Sequence, residues 1–439
     1  MLNYIWLALI LLSVAIGGWM DRLKSVTDGA KTAVTIALGL IGVMALWLGV
    51  MRLAERAGLV QRLARALRPV MRRLFPGVPN DHAAMGSMLM NMAANMLGLG
   101  NAATPLGLRA MRDLEKLNPH PGAATNAMCT FLAINTSSVQ LISTTAIAIL
   151  VAAGSRNPTA IVGTALLATV CAATVAITAV KLLERLPFFA VMPNKAMVQL
   201  EPAVKSEALP TVTELAADEP MRRLPSWGKL VLGLLLMFFV VLFVRLVFPS
   251  FFGLPIEAGS QSIFIRSVSA LSLLAIPFLL AFFTLYAGLC GLKVYDKFVE
   301  GAKEGFGVIL KIIPFLVTML VAINMFKGAG GIDLLARSLS PILGPLHFPT
   351  DLLPIALMRP LSGGATLALF TDVVHRLGPD NIVSLVAATI YGSTETTFYV
   401  AAVYFGSVGV KQTWHAIPAG LLADFTGVVA SVIICRLVL

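Results

Sequence analysis

Apolar segments long enough to cross a lipid bilayer recur along this chain, and they constrain its fold more than any other feature. A helix needs about 20 apolar residues to span the hydrocarbon core. Such segments occupy residues 2–20, 32–51, 123–153, 158–183, 229–248, 263–289, 306–326, 351–374, 382–406 and 414–439. Only 13% of the residues are charged, whereas about 25% is usual in a soluble protein. The sequence therefore predicts an all-α polytopic membrane protein whose first partner is the lipid bilayer.

The most unusual stretch, residues 91–107, reads NMAANMLGLGNAATPLG and interrupts an apolar region with amides, glycines and a proline. Amide side chains are costly in hydrocarbon, and Gly and Pro loosen a helix. Such backbone is tolerated at membrane depth only where it is buried in protein or lines a wet cavity. One interpretation is a re-entrant or broken segment that faces a polar solute. The other is a polar contact between helices, in which small residues allow close approach.

A second polar centre, INTSSVQLISTTAIA, lies at residues 134–148 inside a long apolar run. A single Ser or Thr in a membrane helix can bond back to its own helix carbonyls. Eight polar residues in one run, including an Asn and a Gln, fit that self-contained arrangement poorly. We therefore expect this segment to take part in the same site as residues 91–107.

The second half of the chain repeats the order of these elements. LVQRLARALRP at residues 59–69 corresponds to IDLLARSLSP at 332–341, PLG at 105–107 to PLSG at 360–363, and INTSSVQL at 134–141 to YGSTETTF at 391–398. Polar segments interrupted by Gly or Pro at matching positions in two halves indicate the binding site of a transporter. The sequence therefore predicts two repeats, each with a re-entrant or broken-helix region.

Charge indicates how the two repeats lie in the membrane. Residues 52–75 hold seven arginines and leucines spaced four apart, a pattern that predicts an amphipathic helix at the cytoplasmic interface. The corresponding segment, 331–349, carries Arg337 and Asp333 instead. Because positive charge favours the cytoplasmic side, we expect inverted repeats. A parallel repeat with uneven charge is the alternative.

Two charges fall inside apolar segments of the second half. Arg359 precedes a proline in PIALMRPLSGG, and Glu395 lies in GSTETTFY. A charge at membrane depth is costly, rare, and usually paired or functional. The two side chains could form a structural ion pair with each other. Alternatively, Arg359 binds an anionic group of a solute, or Glu395 binds a cation or a coupling proton.

Several function classes find little support in the sequence. The net charge of +11 comes from basic residues beside apolar segments, which indicates membrane topology and no nucleic-acid partner. The chain contains no HExxH, GxSxG or Walker motif. The four cysteines lie far apart, and no Cys/His spacing indicates a metal site. We therefore expect no enzymatic activity, no cofactor and no metal.

One long hydrophilic segment, residues 184–227, contains six prolines and mixed charges. It has the composition of an exposed linker. The predicted organisation is a first membrane half at 1–183, a linker at 184–227 and a second membrane half at 228–439.

The polar segments also resemble a known family. NMAANMLGLGNAATPLGLRAM and FLAINTSSVQLISTTAIA resemble spore maturation protein A. MRPLSGGATLALF, GSTETTFYVAAVYFGSVGVK and GLLADFTGVVAS resemble spore maturation protein B. The chain therefore resembles a fusion of the two, each half carrying a Gate-type (nucleoside-recognition) membrane domain. The resemblance implies two re-entrant regions around a central solute site, and similar domains occur in nucleoside and ferrous-iron transporters. No Cys or His lies in either polar core, apart from Cys129 at an edge, which argues against iron.

Together these features predict a multi-pass secondary-type transporter of the bacterial inner membrane that moves a small polar or charged organic solute, with or without a coupling ion. The alternative is a non-transporting membrane scaffold or envelope-assembly factor, and a homo-oligomer stays open in both cases. The candidate binding residues of the first half are Asn91, Asn95, Asn101, Thr104, Asn135, Thr136, Ser137 and Ser138. Those of the second half are Arg359, Ser362, Gly363, Ser393, Thr394, Glu395 and Thr397.

Overall fold

The protein is seen in a computed structural model, which describes residues 2–19, 26–186, 224–252, 262–331, 334, 337 and 348–439. Within these ranges the regular structure is helical, apart from an isolated bridge between Ala123 and Gln412. The all-α prediction is confirmed. Most of the predicted linker and of the second interfacial segment lies outside the described residues.

The helices of the first half are numbered α1 to α8. They are α1 (Leu2–Trp19), α2 (Val26–Arg56), α3 (Leu59–Leu74), α4 (Ala83–Met96), α5 (Gly100–Glu115), α6 (Asn126–Thr136), α7 (Thr144–Ala152) and α8 (Ile161–Leu183).

The described helices of the second half are numbered α9 to α16. They are α9 (Ser226–Val247), α10 (Ile263–Leu289), α11 (Val294–Gly328), α12 (Leu353–Met358), α13 (Gly363–Leu377), α14 (Ile382–Ser393), α15 (Thr397–Gly406) and α16 (Ala416–Val438). Four of the described helices, α8, α9, α10 and α16, are long and apolar enough to cross a membrane.

The predicted interfacial helix at residues 52–75 is divided in the structure. Residues 52–56 continue α2, and the chain then turns at Gly58, whose φ of 77° lies in the left-handed region that glycine adopts at little cost. The amphipathic helix is α3, which buries Val60, Ala64 and Met71 and exposes most of its arginines. The prediction was right about the helix but placed its start about two turns too early, because the helical pattern continues through a glycine that changes the direction of the chain.

The longest helices of the two halves, α2 and α11, pack along each other in close contact. The approach is close because α11 presents glycines to α2. A Cβ placed on Gly305 would lie 2.9 Å from backbone atoms of Ala45. At one end of this pair, Arg52 donates to Glu300 Oε1 at 2.8 Å. Hydrogen bonds from Lys297 and Arg52 lower the pKa of Glu300 to about 2, against the cost of burial. The two halves are therefore joined by both packing and charge.

Each half contains a helix that is broken at its polar centre. Residues 123–153, expected as one long run, form α6 and α7 with non-helical residues 137–143 between them. Residues 382–406 form α14 and α15 with an extended break at 394–396. These two broken helices match the repeat predicted from the sequence.

The broken helices and the spans that follow them form the centre of the molecule. In the first half α6 packs on α8, and in the second half α14 packs on α16. Each broken helix also packs on the span of the other half, α6 on α16 and α14 on α8, while α8 and α16 contact each other extensively. This exchange of partners places the two breaks side by side.

Candidate functional site

A cluster of amide side chains joins the helix pair α4 and α5 to α6, the first part of the broken helix. Asn95 Nδ2 donates to Asn135 Oδ1 at 2.8 Å, and Asn135 Nδ2 donates to the Phe131 carbonyl at 2.9 Å. Asn91 Nδ2 donates to the Ala103 carbonyl at 2.8 Å, which ties α4 to α5. The amides expected from residues 91–107 and 134–148 are therefore in direct contact.

Tyr404 of α15 connects this amide cluster to the second half. Its hydroxyl accepts from Asn91 Nδ2 at 3.3 Å and donates to Asn135 Oδ1 at 3.4 Å. The ring of Tyr404 stacks on Phe131, with ring centroids 5.8 Å apart. Gly107 of α5 lies against the hydroxyl, so a side chain at that position would collide with it. This contact gives a reason for the glycine in the predicted polar stretch.

The carbonyl groups freed by the first break are largely taken up by other parts of the protein. Thr169 Oγ1 of α8 lies 3.0 Å from the Ser137 carbonyl oxygen and 2.8 Å from that of Ser138. Ser138 itself has a φ of 41°, a conformation uncommon for a residue other than glycine. Backbone groups inside a membrane protein must be satisfied internally, and here the single proton of a hydroxyl on the neighbouring span is shared between the two carbonyl oxygens.

The second break is organised by Arg359, which lies in the turn between α12 and α13 and is 2% exposed. Its Nη2 donates to the Tyr391 carbonyl at 3.0 Å, its Nη1 lies 3.4 Å from Thr396 Oγ1, and its guanidinium lies 5.0 Å from the centre of the Tyr391 ring. These contacts fix the end of α14 and the start of α15.

The ion pair considered between Arg359 and Glu395 is not formed. Among the described residues, neither side chain has a carboxylate or cationic partner within ion-pair distance. The guanidinium of Arg359 instead contacts a backbone carbonyl and a hydroxyl of its own repeat. The side chain of Glu395 is half-buried in the second break.

The two breaks meet directly. The backbone amide of Glu395 donates to the Thr136 carbonyl at 2.7 Å, so the end of α6 is bonded to the break of the other half. Gly420 of α16 lies beside both breaks, because a Cβ there would be 3.0 Å from Thr397 Oγ1 and 3.2 Å from Thr136 Oγ1. The polar centres of the two halves therefore meet in one junction, which is the candidate site.

The structure also places a carboxylate in this site that sequence reasoning missed. Asp424 lies in the middle of α16 and is 2% exposed. Its Oδ2 accepts from Thr397 Oγ1 at 2.7 Å. The rule that drew attention to Glu395, a charge inside an apolar span, would have identified it, but the polar residues around Glu395 and the absence of such neighbours around Asp424 directed attention elsewhere.

The remaining predicted residues hold the helix ends or lie at the margin of the site. Ser362 caps α13 by accepting from the Ala365 amide at 3.2 Å, and Gly363 follows it, close to Thr396. Ser393 Oγ lies 3.3 Å from Ser431 Oγ of α16. Thr104 is half-buried in α5. Asn101 lies in the first turn of α5, and its side chain is outside the described residues.

The chemistry available at this junction is hydrogen bonding. Amides, hydroxyls and a phenol can donate and accept, the Glu395 carboxylate can accept or bind a cation, and the guanidinium of Arg359 is committed to the protein. Four buried atoms around the junction have no hydrogen-bond partner in the described part of the chain, namely Asn91 Oδ1, Arg359 Nε, Thr394 Oγ1 and Asp424 Oδ1. Such unused capacity suits the binding of a small polar ligand or an ion.

Comparison with known proteins adds independent information. Residues 37–185 and 309–411 match the Gate family, which is described as nucleoside recognition. Spore maturation protein A of Bacillus subtilis (strain 168) is 47% identical over 173 residues, covering 38% of this chain and 88% of that protein. Spore maturation protein B of the same organism is 44% identical over 170 residues, covering 39% of this chain and 96% of that protein. The two matches lie on separate halves of the chain. No solved structure matches it.

Proposed function

Because this chain belongs to the Gate family, described as nucleoside recognition, we propose that it is a secondary-type transporter that binds a small polar organic solute between its two repeats. The observation that carries the proposal is the bond between the Glu395 amide and the Thr136 carbonyl at 2.7 Å, which joins the two breaks. Unwound backbone at the interface of two repeats is the usual form of a transporter site. The carboxylate beside this bond has no ionic partner among the described residues.

The packing of the central helices supports a symmetrical mechanism. Each broken helix contacts the span of its own half and that of the other half. Two repeats related by an inverted arrangement would form this pattern, and rocking of one repeat against the other would expose the site alternately to the two sides. Inversion also follows from the uneven distribution of arginines between the two interfacial segments. The membrane that we propose is the bacterial inner membrane.

The solute class follows from the groups at the junction. Asn95, Asn135 and Tyr404 offer amide and phenol contacts of the kind that hydroxyl and base groups bind, while Glu395 can accept from a hydroxyl or an amine. A nucleoside carries all of these groups, and the family is described as nucleoside recognition. Nucleosides are therefore the first solutes to test, with other small polar organic molecules as the wider class.

The second candidate function is a membrane scaffold or envelope-assembly factor. It is favoured by the pairing of Asn95 with Asn135, because amides that satisfy each other can serve simply as contacts between helices. It is opposed by Asn91 Oδ1, which has no hydrogen-bond partner among the described residues, and by the Glu395 carboxylate, which has no ionic partner among them. Both add cost and no stability to a purely structural junction. Convergence of both breaks on one place also favours the transporter.

The proposal is tested by measuring solute movement directly. Purified wild type and Glu395→Gln are reconstituted into proteoliposomes and supplied with a mixture of labelled nucleosides and other small polar metabolites. We expect wild type to move one solute class and Glu395→Gln to reduce its initial rate at least tenfold, because the amide cannot replace the charge of the carboxylate. Asp81→Asn is the matched control, since the Asp81 side chain is fully exposed.

A comparison of solutes inside and outside cells expressing the same three proteins extends the test beyond the chosen mixture. Membrane protein levels are matched before the comparison. If wild type shifts no solute class in either assay while all three proteins are folded and inserted, the transporter proposal is wrong and the scaffold function is favoured.

A further inference from the structure

Asp424 is an unusual residue for the centre of an apolar helix. Its carboxylate is buried, and one oxygen, Oδ2, accepts a hydrogen bond from Thr397 Oγ1 at 2.7 Å. The other oxygen, Oδ1, has no hydrogen-bond partner among the described residues. No cationic side chain of the described ranges lies within ion-pair distance of it either. A buried carboxylate with an unused oxygen calls for a compensating charge.

A second unused oxygen comes from the break that packs against the same helix. Thr394 is 1% exposed, and its hydroxyl has no partner among the described residues. The methyl group of Thr394 lies against Gly427, which is three residues beyond Asp424 on α16, and the hydroxyl is carried on the same Cβ. Gly427 has no side chain, and this allows the break to approach α16 closely at this level. One carboxylate oxygen and one hydroxyl, both without a hydrogen-bond partner among the described residues, therefore belong to two elements in contact.

The surrounding charges do not compensate Asp424 directly. Arg359 and Glu395 both act on its charge from the neighbouring elements. The guanidinium of Arg359 is held by Tyr391 and Thr396, and Glu395 carries the same sign as Asp424. The other titratable groups on the helices packed against α16 are the phenols Tyr286, Tyr391, Tyr399 and Tyr404, the thiols Cys129 and Cys171, Arg266 in the first turn of α10, and Lys181 with Glu184 at the end of α8. The phenols and thiols are ordinarily neutral near pH 7.

From these observations we infer that Asp424 binds a monovalent cation, H⁺ or Na⁺, that drives the transport proposed above, and that Thr394 supplies a second oxygen ligand when the cation is Na⁺. Carboxylate and hydroxyl oxygens are the ligands that hard cations prefer, and a proton on Oδ1 would remove the charge outright. Thr394 and Thr397 border the break that carries Glu395. A cation at Asp424 therefore acts on the same segment as the solute. This inference rests on the proposed function for its role, while the site itself can be tested without a solute.

The experiment measures cation binding by the purified full-length protein in nanodiscs, with no solute present. Thermal unfolding of wild type, Asp424→Asn and Thr394→Val is followed as Na⁺ replaces choline at constant ionic strength, and separately as pH is lowered. A ligand that binds only the folded state raises the unfolding midpoint. The controls are Thr371→Val, a buried threonine that bonds to its own helix, and Asp372→Asn, which is paired with Arg376 outside the site.

Two results support the inference and identify the ion. If Na⁺ binds, it raises the unfolding midpoint of wild type and of both controls but has no effect on the midpoint of Asp424→Asn. Thr394→Val then binds Na⁺ at least fivefold more weakly than wild type. If H⁺ binds, lowering the pH stabilises wild type and Thr394→Val alike relative to Asp424→Asn. An infrared band of a protonated carboxylic acid in wild type then provides a measurement that does not depend on the folding of Asp424→Asn.

Midpoints that respond to neither ion, or that respond equally in wild type and Asp424→Asn, would overturn the inference. Solute transport that persists without either cation gradient would also overturn it while leaving the proposed function intact. Cation binding by a protein that moves no solute would support the site and contradict the proposed function.

Discussion

Tyr404 is a single residue that joins the amides of the first half to the second half of the chain. Its hydroxyl contacts both Asn91 and Asn135, at 3.3 and 3.4 Å, and its ring stacks on Phe131. The hydroxyl is therefore the only part of the side chain that the amide cluster uses for hydrogen bonding. Removing it would leave the aromatic packing in place and test the polar contacts alone.

We expect Tyr404→Phe to lower the free energy of unfolding by about 1 kcal/mol, which is the usual net contribution of a buried hydrogen bond. The effect includes the cost of leaving Asn91 with less of its hydrogen-bonding capacity used. Tyr399→Phe removes the same hydroxyl from an exposed position on α15 and should change stability by much less. Chemical denaturation of the two variants in the same detergent makes the comparison. An equal effect of both substitutions would contradict the role of the amide cluster.

The site residues that could be predicted from the sequence were those that stand out locally. Asn91, Asn95 and Asn135 are amides in apolar surroundings, and Glu395 is a charge among hydroxyls. Tyr404 looks like an ordinary aromatic residue of a membrane helix, and its role depends on a glycine 297 positions earlier in the chain. Contacts of this kind arise from the packing of distant segments and cannot be predicted from local composition.

At the scale of elements, the helices could be located from their apolar runs and the broken-helix regions from their polar centres, but the residues at which each break begins and ends could not. Residues 123–153 and 382–406 are apolar enough to be expected as continuous spans. The structure ends α6 at Thr136 because Thr169 of α8 and Glu395 of the second half bond the carbonyls of its last turn and of the break. Those partners are 33 and 259 positions away along the chain. Mean hydropathy contains no information about them.

The pairing of α2 with α11 makes a prediction about small residues. A Cβ on Gly305 would lie 2.9 Å from backbone atoms of Ala45, and backbone cannot move aside as a side chain can. We expect Gly305→Ala to lower the free energy of unfolding by about 1–3 kcal/mol through overpacking. The measurement is thermal or denaturant unfolding of the purified variant in detergent.

Gly307 provides the control for this prediction on the same helix. A Cβ there would meet nothing within 4 Å, so Gly307→Ala should be neutral or stabilising by up to about 1 kcal/mol, because alanine favours helix. If Gly305→Ala were as well tolerated as Gly307→Ala, the close approach of α2 and α11 would be contradicted.

At the scale of the whole molecule, the two halves form one bundle with a shared centre. The pairs α2 with α11 and α8 with α16 each combine one helix from either half, and the two breaks are bonded to each other. The relatives cover the halves separately, as two proteins of one organism, each matched over 88% or more of its own length. We therefore expect the contacts between the halves to form without the covalent connection.

This argument predicts that the chain can be divided within residues 187–223 and still assemble. We expect the two fragments, co-expressed with an affinity tag on the first, to purify together from detergent, because the helix pairs and the junction at Glu395 hold them without the connecting segment. Placing Gly305→Ala in the second fragment should reduce the amount recovered, while Gly307→Ala should not. Recovery of the tagged fragment alone, with the other fragment present and inserted in the membrane, would show that the contacts between the halves are too weak to hold them without the covalent link. Joint recovery would mean that one solute site can be built from two chains, as the separate relatives of the two halves suggest.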